Sequence, residues 1–91
     1  MTGFTPAPGV RYAGTDDGAM LLDLSAGKFF GLNPTAATMW RFLACGTSPE
    51  ETALRLASDL GVSAEQLVED VRSLTAALLD RGLLSEEVSA P

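Results

Sequence analysis

The sequence predicts an α+β domain of the winged helix-turn-helix class, a three-stranded antiparallel sheet followed by three helices (β-β-β-α-α-α). Three observations carry this. Apolar residues recur with a period near two between positions 10 and 32, as they do in strands. From Asn33 onward the period becomes helical, with capping residues at regular intervals. The last two helical segments are separated by only a tight Gly61-Val62 link, short enough to make a helix-turn-helix.

Each element follows from local signals. Residues 1–9 hold Gly3, Pro6, Pro8 and Gly9 with little apolar content, and are expected to be a flexible lead-in. Val10 and Tyr12 alternate with Arg11 and Ala13 in a first strand, and G-T-D-D-G at 14–18 is a turn. Residues 19–24 form a second strand, with Met20, Leu22 and Leu24 on one face and Leu21 and Asp23 on the other. After the turn Ser25-Ala26-Gly27, the third strand is Lys28–Leu32, with Phe30 and Leu32 on one face and Phe29 and Gly31 on the other. Loops this short join antiparallel neighbours.

Asn33 is an N-cap with Pro34 at the first helical position, and Ala37, Met39, Trp40 and Leu43 form the apolar stripe of a helix that Gly46 ends. Ser48 and Glu51 make a capping box around Pro49, opening a helix with Ala53, Leu54, Leu56, Ala57 and Leu60, which stops at Gly61. Ser63 and Gln66 repeat that logic for a third helix with Leu67, Val71, Leu74 and Leu78 on its stripe and Val68, Thr75 and Leu79 beside it. Arg81 and Gly82 are its stop signal, and Leu83-Leu84 are expected to fold back on the core. The domain therefore spans residues 10–84, with 85–91 as a flexible tail.

Composition narrows the function. The 91 residues suffice for one small domain, and 46% apolar against 20% charged content is that of a folded chain. The absence of His excludes Ser-His-Asp and Cys-His catalysis and His-containing zinc sites. A single cysteine, Cys45, excludes an intrachain disulfide and a thiolate cage, which fits a reducing, cytoplasmic setting. Apolar runs reach only four residues, too short for a bilayer, and no signal peptide is expected.

Charge argues against nucleic acid. Positions 1–47 are balanced, so the second half carries the whole net charge of −6. The helix that would read DNA holds Glu65, Glu69, Asp70 and Asp80 against Arg72 and Arg81, too few cations for a phosphate backbone. Catalysis also lacks a constellation. Cys45 has no base to activate it, Asp16-Asp17 belong to a turn, Glu50-Glu51 suit a helix N-terminus, and Glu86-Glu87 lie in the tail. The expected protein is not an enzyme and uses neither cofactor nor metal.

A sheet edge remains. The strand Lys28–Leu32 presents unpaired backbone groups if it lies at the edge, with Lys28 alone to blunt it. Phe29 and Phe30 face opposite sides, so only one of them belongs to the core. The other either packs against a loop or the chain termini, or serves a docking surface for an extended peptide added as a further strand. The same edge also offers pairing to a second copy in an edge-strand homodimer.

The runs D-G-A-M-L-L-D at 17–23 and G-K-F-F-G-L-N-P-T-A at 27–36, with Trp40, Asp70-Val71, Leu78 and Gly82-Leu83-Leu84, resemble the PqqD-like family of RiPP precursor recognition elements. Within it they are most similar to the stand-alone leader-binding B1 proteins of lasso-peptide clusters. The resemblance covers about residues 10–84. It implies a winged-helix module that captures the leader of a ribosomally made precursor peptide and delivers it to a leader peptidase of the B2 cysteine-protease type and to a lasso cyclase. A sister role in the same family is a peptide chaperone for a radical SAM enzyme; the alternative from a different class is a winged-helix regulator. The family's site lies between the third strand and the third helix. Carried over, it comprises Lys28, Phe29, Phe30, Gly31 and Leu32 on the strand and Asp70, Val71, Leu74 and Leu78 on the helix. Asp70 lies on one flank of the helical stripe and Val68, Arg72, Thr75 and Leu79 on the other; both flanks remain open as the groove wall.

Overall fold

Alternation and turn chemistry produce the expected three-stranded meander. A computed structural model describes residues 2–88. In chain order the elements are β1 (Thr2–Pro6), β2 (Val10–Thr15), β3 (Gly18–Asp23), β4 (Lys28–Leu32), α1 (Pro34–Ala44), α2 (Pro49–Leu60), α3 (Ala64–Asp80) and β5 (Leu84–Val88). The main sheet has the order β2-β3-β4, antiparallel throughout. Asp16 and Asp17 make the β2–β3 turn between the paired residues Thr15 and Gly18. The register sets Ala19 opposite Leu32 and Leu21 opposite Phe30 on the inner face, and Met20 opposite Gly31 and Leu22 opposite Phe29 on the outer face. Gly18 is obligatory: its φ is 139°, and a Cβ there would stand 2.0 Å from the Leu32 carbonyl oxygen.

The helices start and stop where the caps dictate. The Asn33 side chain accepts from the Ala36 N–H at 2.8 Å, and Ser48 Oγ accepts from the Glu51 N–H at 3.1 Å. Ser63 occupies the third cap position but its side chain makes no capping bond, so the repeated capping logic expected there fails. α2 and α3 pack against each other across the Gly61-Val62-Ser63 turn, as the helix-turn-helix requires. At the end of α3, Gly82 turns with φ 71° and the Leu83 N–H donates to the Leu78 carbonyl at 2.9 Å. This return buries Leu83 and Leu84, as expected.

The core joins Ala19, Leu21 and Leu32 of the sheet to Ala37, Met39, Trp40 and Leu43 of α1, Ala53, Leu56 and Ala57 of α2, and Leu67, Val71 and Leu78 of α3. Leu54 and Leu60 of α2 are exposed.

The chain ends depart from the expectation of a bare lead-in and tail. Residues 2–6 pair antiparallel with 84–88, from Thr2 opposite Val88 to Pro6 opposite Leu84. The Ala7 N–H extends this ladder to the Leu83 carbonyl at 3.1 Å, and Phe4 packs half-buried against the core. Backbone pairing needs no apolar alternation, so composition alone did not reveal it. Residues 89–91 of the expected tail lie outside the described residues.

Candidate functional site

β4 is an edge strand, bonded to β3 on one side and open along the other. Its two phenylalanines divide as strand alternation demands. Phe30 faces inward and is half-buried against the core, whereas Phe29 faces outward with 69% of its surface exposed. Among the described residues no loop covers the Phe29 ring.

The orientation of α3 decides which helical flank borders this edge. Arg72 reaches α2, where its Nη2 donates to Glu50 Oε1 at 2.8 Å, so the Arg72 flank faces α2. That bond holds the Glu50 carboxyl below its ordinary pKa. On the opposite flank Asp70 and Leu74 look toward the start of α1 and Arg81 toward β4. Arg81 lies over the Phe30 ring, 5.1 Å from its centre.

Two depressions of about 350 Å³ flank β4 in sequence and in space. The first is bounded by Lys28, Phe29 and Phe30 of β4, Asp80 and Arg81 at the end of α3, and Leu83. The second lies beyond Leu32 and is bounded by Asn33, Thr35, Ala36 and Met39 around the start of α1, with Asp70 and Leu74 of α3. Asp23, also at the first depression, is engaged in the hairpin turn, its Oδ1 accepting from the Ser25 and Ala26 N–H groups. Among the described residues the ion pairs are Arg55–Glu51 and Arg72–Glu50, which leaves Lys28 and Arg81 without a carboxylate partner.

Of the residues expected to form the site, Lys28, Phe29, Phe30 and Gly31 lie together along an open edge, and Asp70 and Leu74 border the second depression with the start of α1. Val71 and Leu78 are 0% exposed and Leu32 is 5% exposed. All three are core residues of the free chain. Arg81, Thr35, Ala36 and Met39 were missed. For Arg81 the signal was present: positions 70, 74, 77 and 81 follow one another at helical spacing on the same flank. Among the described residues no catalytic constellation stands beside the groove. Cys45 is exposed near the end of α1 in a separate shallow depression with Thr38, Arg41 and Phe42. Among the described residues no cluster of acids and thiols has a metal-binding arrangement, and no helix is long and apolar enough to cross a membrane.

This architecture matches known proteins. A solved structure described as lasso peptide synthetase B1 complexed with the leader peptide superposes with a TM-score of 0.82 at 33% identity, over 90% of this chain and 96% of the other. TbiB1 in complex with the TbiA(beta) leader peptide superposes with a TM-score of 0.79 at 30% identity, over 96% and 99% of the two chains. No curated protein matches the chain. Residues 18–84, from β3 to the first residue of β5, match the family model of coenzyme PQQ synthesis protein D, and the chain belongs to that PqqD family.

Proposed function

We propose that this chain binds the leader of a ribosomally synthesised precursor peptide as a fourth strand along β4, without catalysis of its own. It then delivers the precursor to a leader peptidase and a lasso cyclase. The observation that carries the reading is the open β4 edge set between two depressions, in a chain similar to two proteins solved with leader peptides. An added strand gains backbone hydrogen bonds from the edge and places alternate side chains on opposite faces, one set toward the α3 wall and one set beside Phe29. About four to six such bonds, at about 0.5–1.5 kcal/mol net each, and one or two apolar anchors offset the several kcal/mol needed to order the peptide.

The family match also supports a sister reading, a peptide chaperone for a radical SAM enzyme. The two leader-bound neighbours favour the lasso reading. Isothermal titration with the leader and, separately, the core segment of a lasso precursor tests the binding step. Leader binding without core binding is expected; indifference between them overturns the reading. For delivery, added chain is expected to accelerate leader removal by the peptidase, and an unchanged rate overturns that step.

A further inference from the structure

The sheet has a second open edge. β2 bonds to β3 on one side and, among the described residues, to no strand on the other. Bonded pairs alternate along an antiparallel ladder. The Leu24 N–H donates to the Gly9 carbonyl at 3.1 Å, so Arg11 and Ala13 also bond to β3, and the backbone groups of Val10, Tyr12 and Gly14 point away from it. The Val10 N–H donates to the Ala7 carbonyl at 3.2 Å. The Val10 carbonyl and both groups of Tyr12 and Gly14 face the open side. Edges of this kind are blunted by proline, a bulge or an inward charge. β2 has none of these: its register is unbroken from Val10–Asp23 to Thr15–Gly18, and its one charge, Arg11, lies on the outer face opposite Leu22. The helices pack under β3 and β4, while the Tyr12 ring beside buried Leu21 stays 44% exposed.

This edge is complementary to itself. Set antiparallel about a two-fold axis through Tyr12, two copies of β2 exchange the Tyr12 N–H and carbonyl, and each Gly14 N–H meets the other copy's Val10 carbonyl. Arg11 then faces Ala13 rather than a second Arg11, and Asp16 and Asp17 fall beyond the pairing. The two Tyr12 rings meet beside Gly14, which has no positive φ and no atom within 4 Å of a built Cβ, so the fold itself does not require glycine there. Charge favours the same end of the molecule. Residues 1–47 are balanced and the net charge of −6 lies in the half that holds α2 and α3, so two copies repel least where their sheets meet. We infer that two copies of this chain pair through β2 into one continuous sheet, with both β4 edges free at its far ends. The second copy expected at Lys28–Leu32 is thereby assigned to the opposite edge. One strand from each copy buries well under the roughly 1,000 Å² that a stable interface needs, so the dimer is weak and reversible.

Sedimentation equilibrium of the full chain at rising concentration, beside thermal melts, tests this. The wild-type mass is expected to climb toward that of two chains. Gly14→Pro removes an N–H that points away from β3, and Tyr12→Lys sets like charges opposite each other at the axis; both should fold and stay monomeric. Phe29→Lys adds the same charge at β4 and should dimerise as wild type does. The register is read by mild oxidation in a Cys45→Ser background. Tyr12→Cys should form a disulfide-linked dimer, because residues of a bonded pair have Cα atoms about 5.5 Å apart, and Ala13→Cys should not. A wild type that stays monomeric at every concentration overturns the inference. So does a dimer that persists in folded Tyr12→Lys, one lost only in Phe29→Lys, which places the seam at β4, or cross-linking at position 13 and not at 12.

Discussion

The guanidinium of Arg81 lies 5.1 Å from the centre of the Phe30 ring, joining the C-terminal end of α3 to the edge strand β4. Arg81 is exposed and Phe30 half-buried, so the contact caps one end of the groove from the solvent side. At such a site a cation–π contact contributes about 0.5–1 kcal/mol. Arg81→Ala is therefore expected to lower stability by no more than about 1 kcal/mol in a thermal or urea melt. Because Arg81 and Lys28 have no carboxylate partner among the described residues, the same variant should weaken a leader bearing an acidic residue near this end more than a neutral one. Equal losses for both would show that the Arg81 charge takes no part in recognition.

The Arg72–Glu50 bond, which turned the other flank of α3 toward α2, predicts a pH dependence. The bond holds the Glu50 carboxyl below its ordinary value, so the folded state favours the ionised form. Its contribution is present above the unfolded pKa and is lost as pH falls through the lowered folded value. Arg72→Met should melt slightly below wild type at neutral pH, and the gap should close below about pH 4. Both side chains are more than half exposed, so salt should shrink the neutral-pH gap as well. A gap that persists in acid would assign the effect to lost packing of the arginine stem.

Elements whose signals are local were legible in the sequence, and those that depend on distant pairing were not. Asn33-Pro34, Ser48-Pro49 and the glycine stops fixed the helices because a cap acts within one turn. Alternation fixed β2 to β4 and put Phe29 and Phe30 on opposite faces. The β1–β5 ladder was illegible because Thr2–Pro6 carries glycine and proline and finds its partner at the far end of the chain. The edge strand of the site was legible from the meander. The helical wall was not, since Val71, Leu74 and Leu78 form a stripe with two equivalent flanks. The choice rests on two contacts between residues far apart in sequence, Arg72 with Glu50 and Arg81 with Phe30.

The terminal ladder has its own consequence. Phe4 packs on the core, and β1 covers the strand that begins with buried Leu84. Removing residues 1–7 should expose apolar surface beneath β1 and lower stability by about 2–4 kcal/mol, measured by denaturant melts of the truncated and full-length chains. An unchanged midpoint would mean that β1 adds nothing to the folded state.

Cys45 provides the check on catalysis. Its thiol is exposed, with Arg41 in the same depression and no histidine in the chain. Cys45→Ser should leave leader binding and any stimulation of a partner enzyme within about threefold of wild type. Loss of the stimulated activity in a folded variant would make the thiol a participant in the chemistry and overturn the non-catalytic reading.

The two phenylalanines of β4 separate folding from binding. Phe30 opposes buried Leu21 and packs against the core, so Phe30→Ala removes apolar contact that the fold uses. Full burial would make that cost about 3–5 kcal/mol; half-burial brings it to about 2–3 kcal/mol in a denaturant melt. Phe29, at 69% exposure opposite Leu22, contributes little to the free protein, and Phe29→Ala should stay within about 0.5 kcal/mol of wild type. An added strand would cover the Phe29 ring from the open side and desolvate it. Its truncation should then cost about 2 kcal/mol of leader binding, about thirtyfold in Kd, by isothermal titration. Gly31→Pro completes the set, because the ring fixes φ and removes the N–H that an edge partner or β3 requires. If Phe29→Ala, Phe30→Ala and Gly31→Pro all stay folded and bind the leader as wild type does, the leader does not add to β4 and the groove beside it is not the binding site.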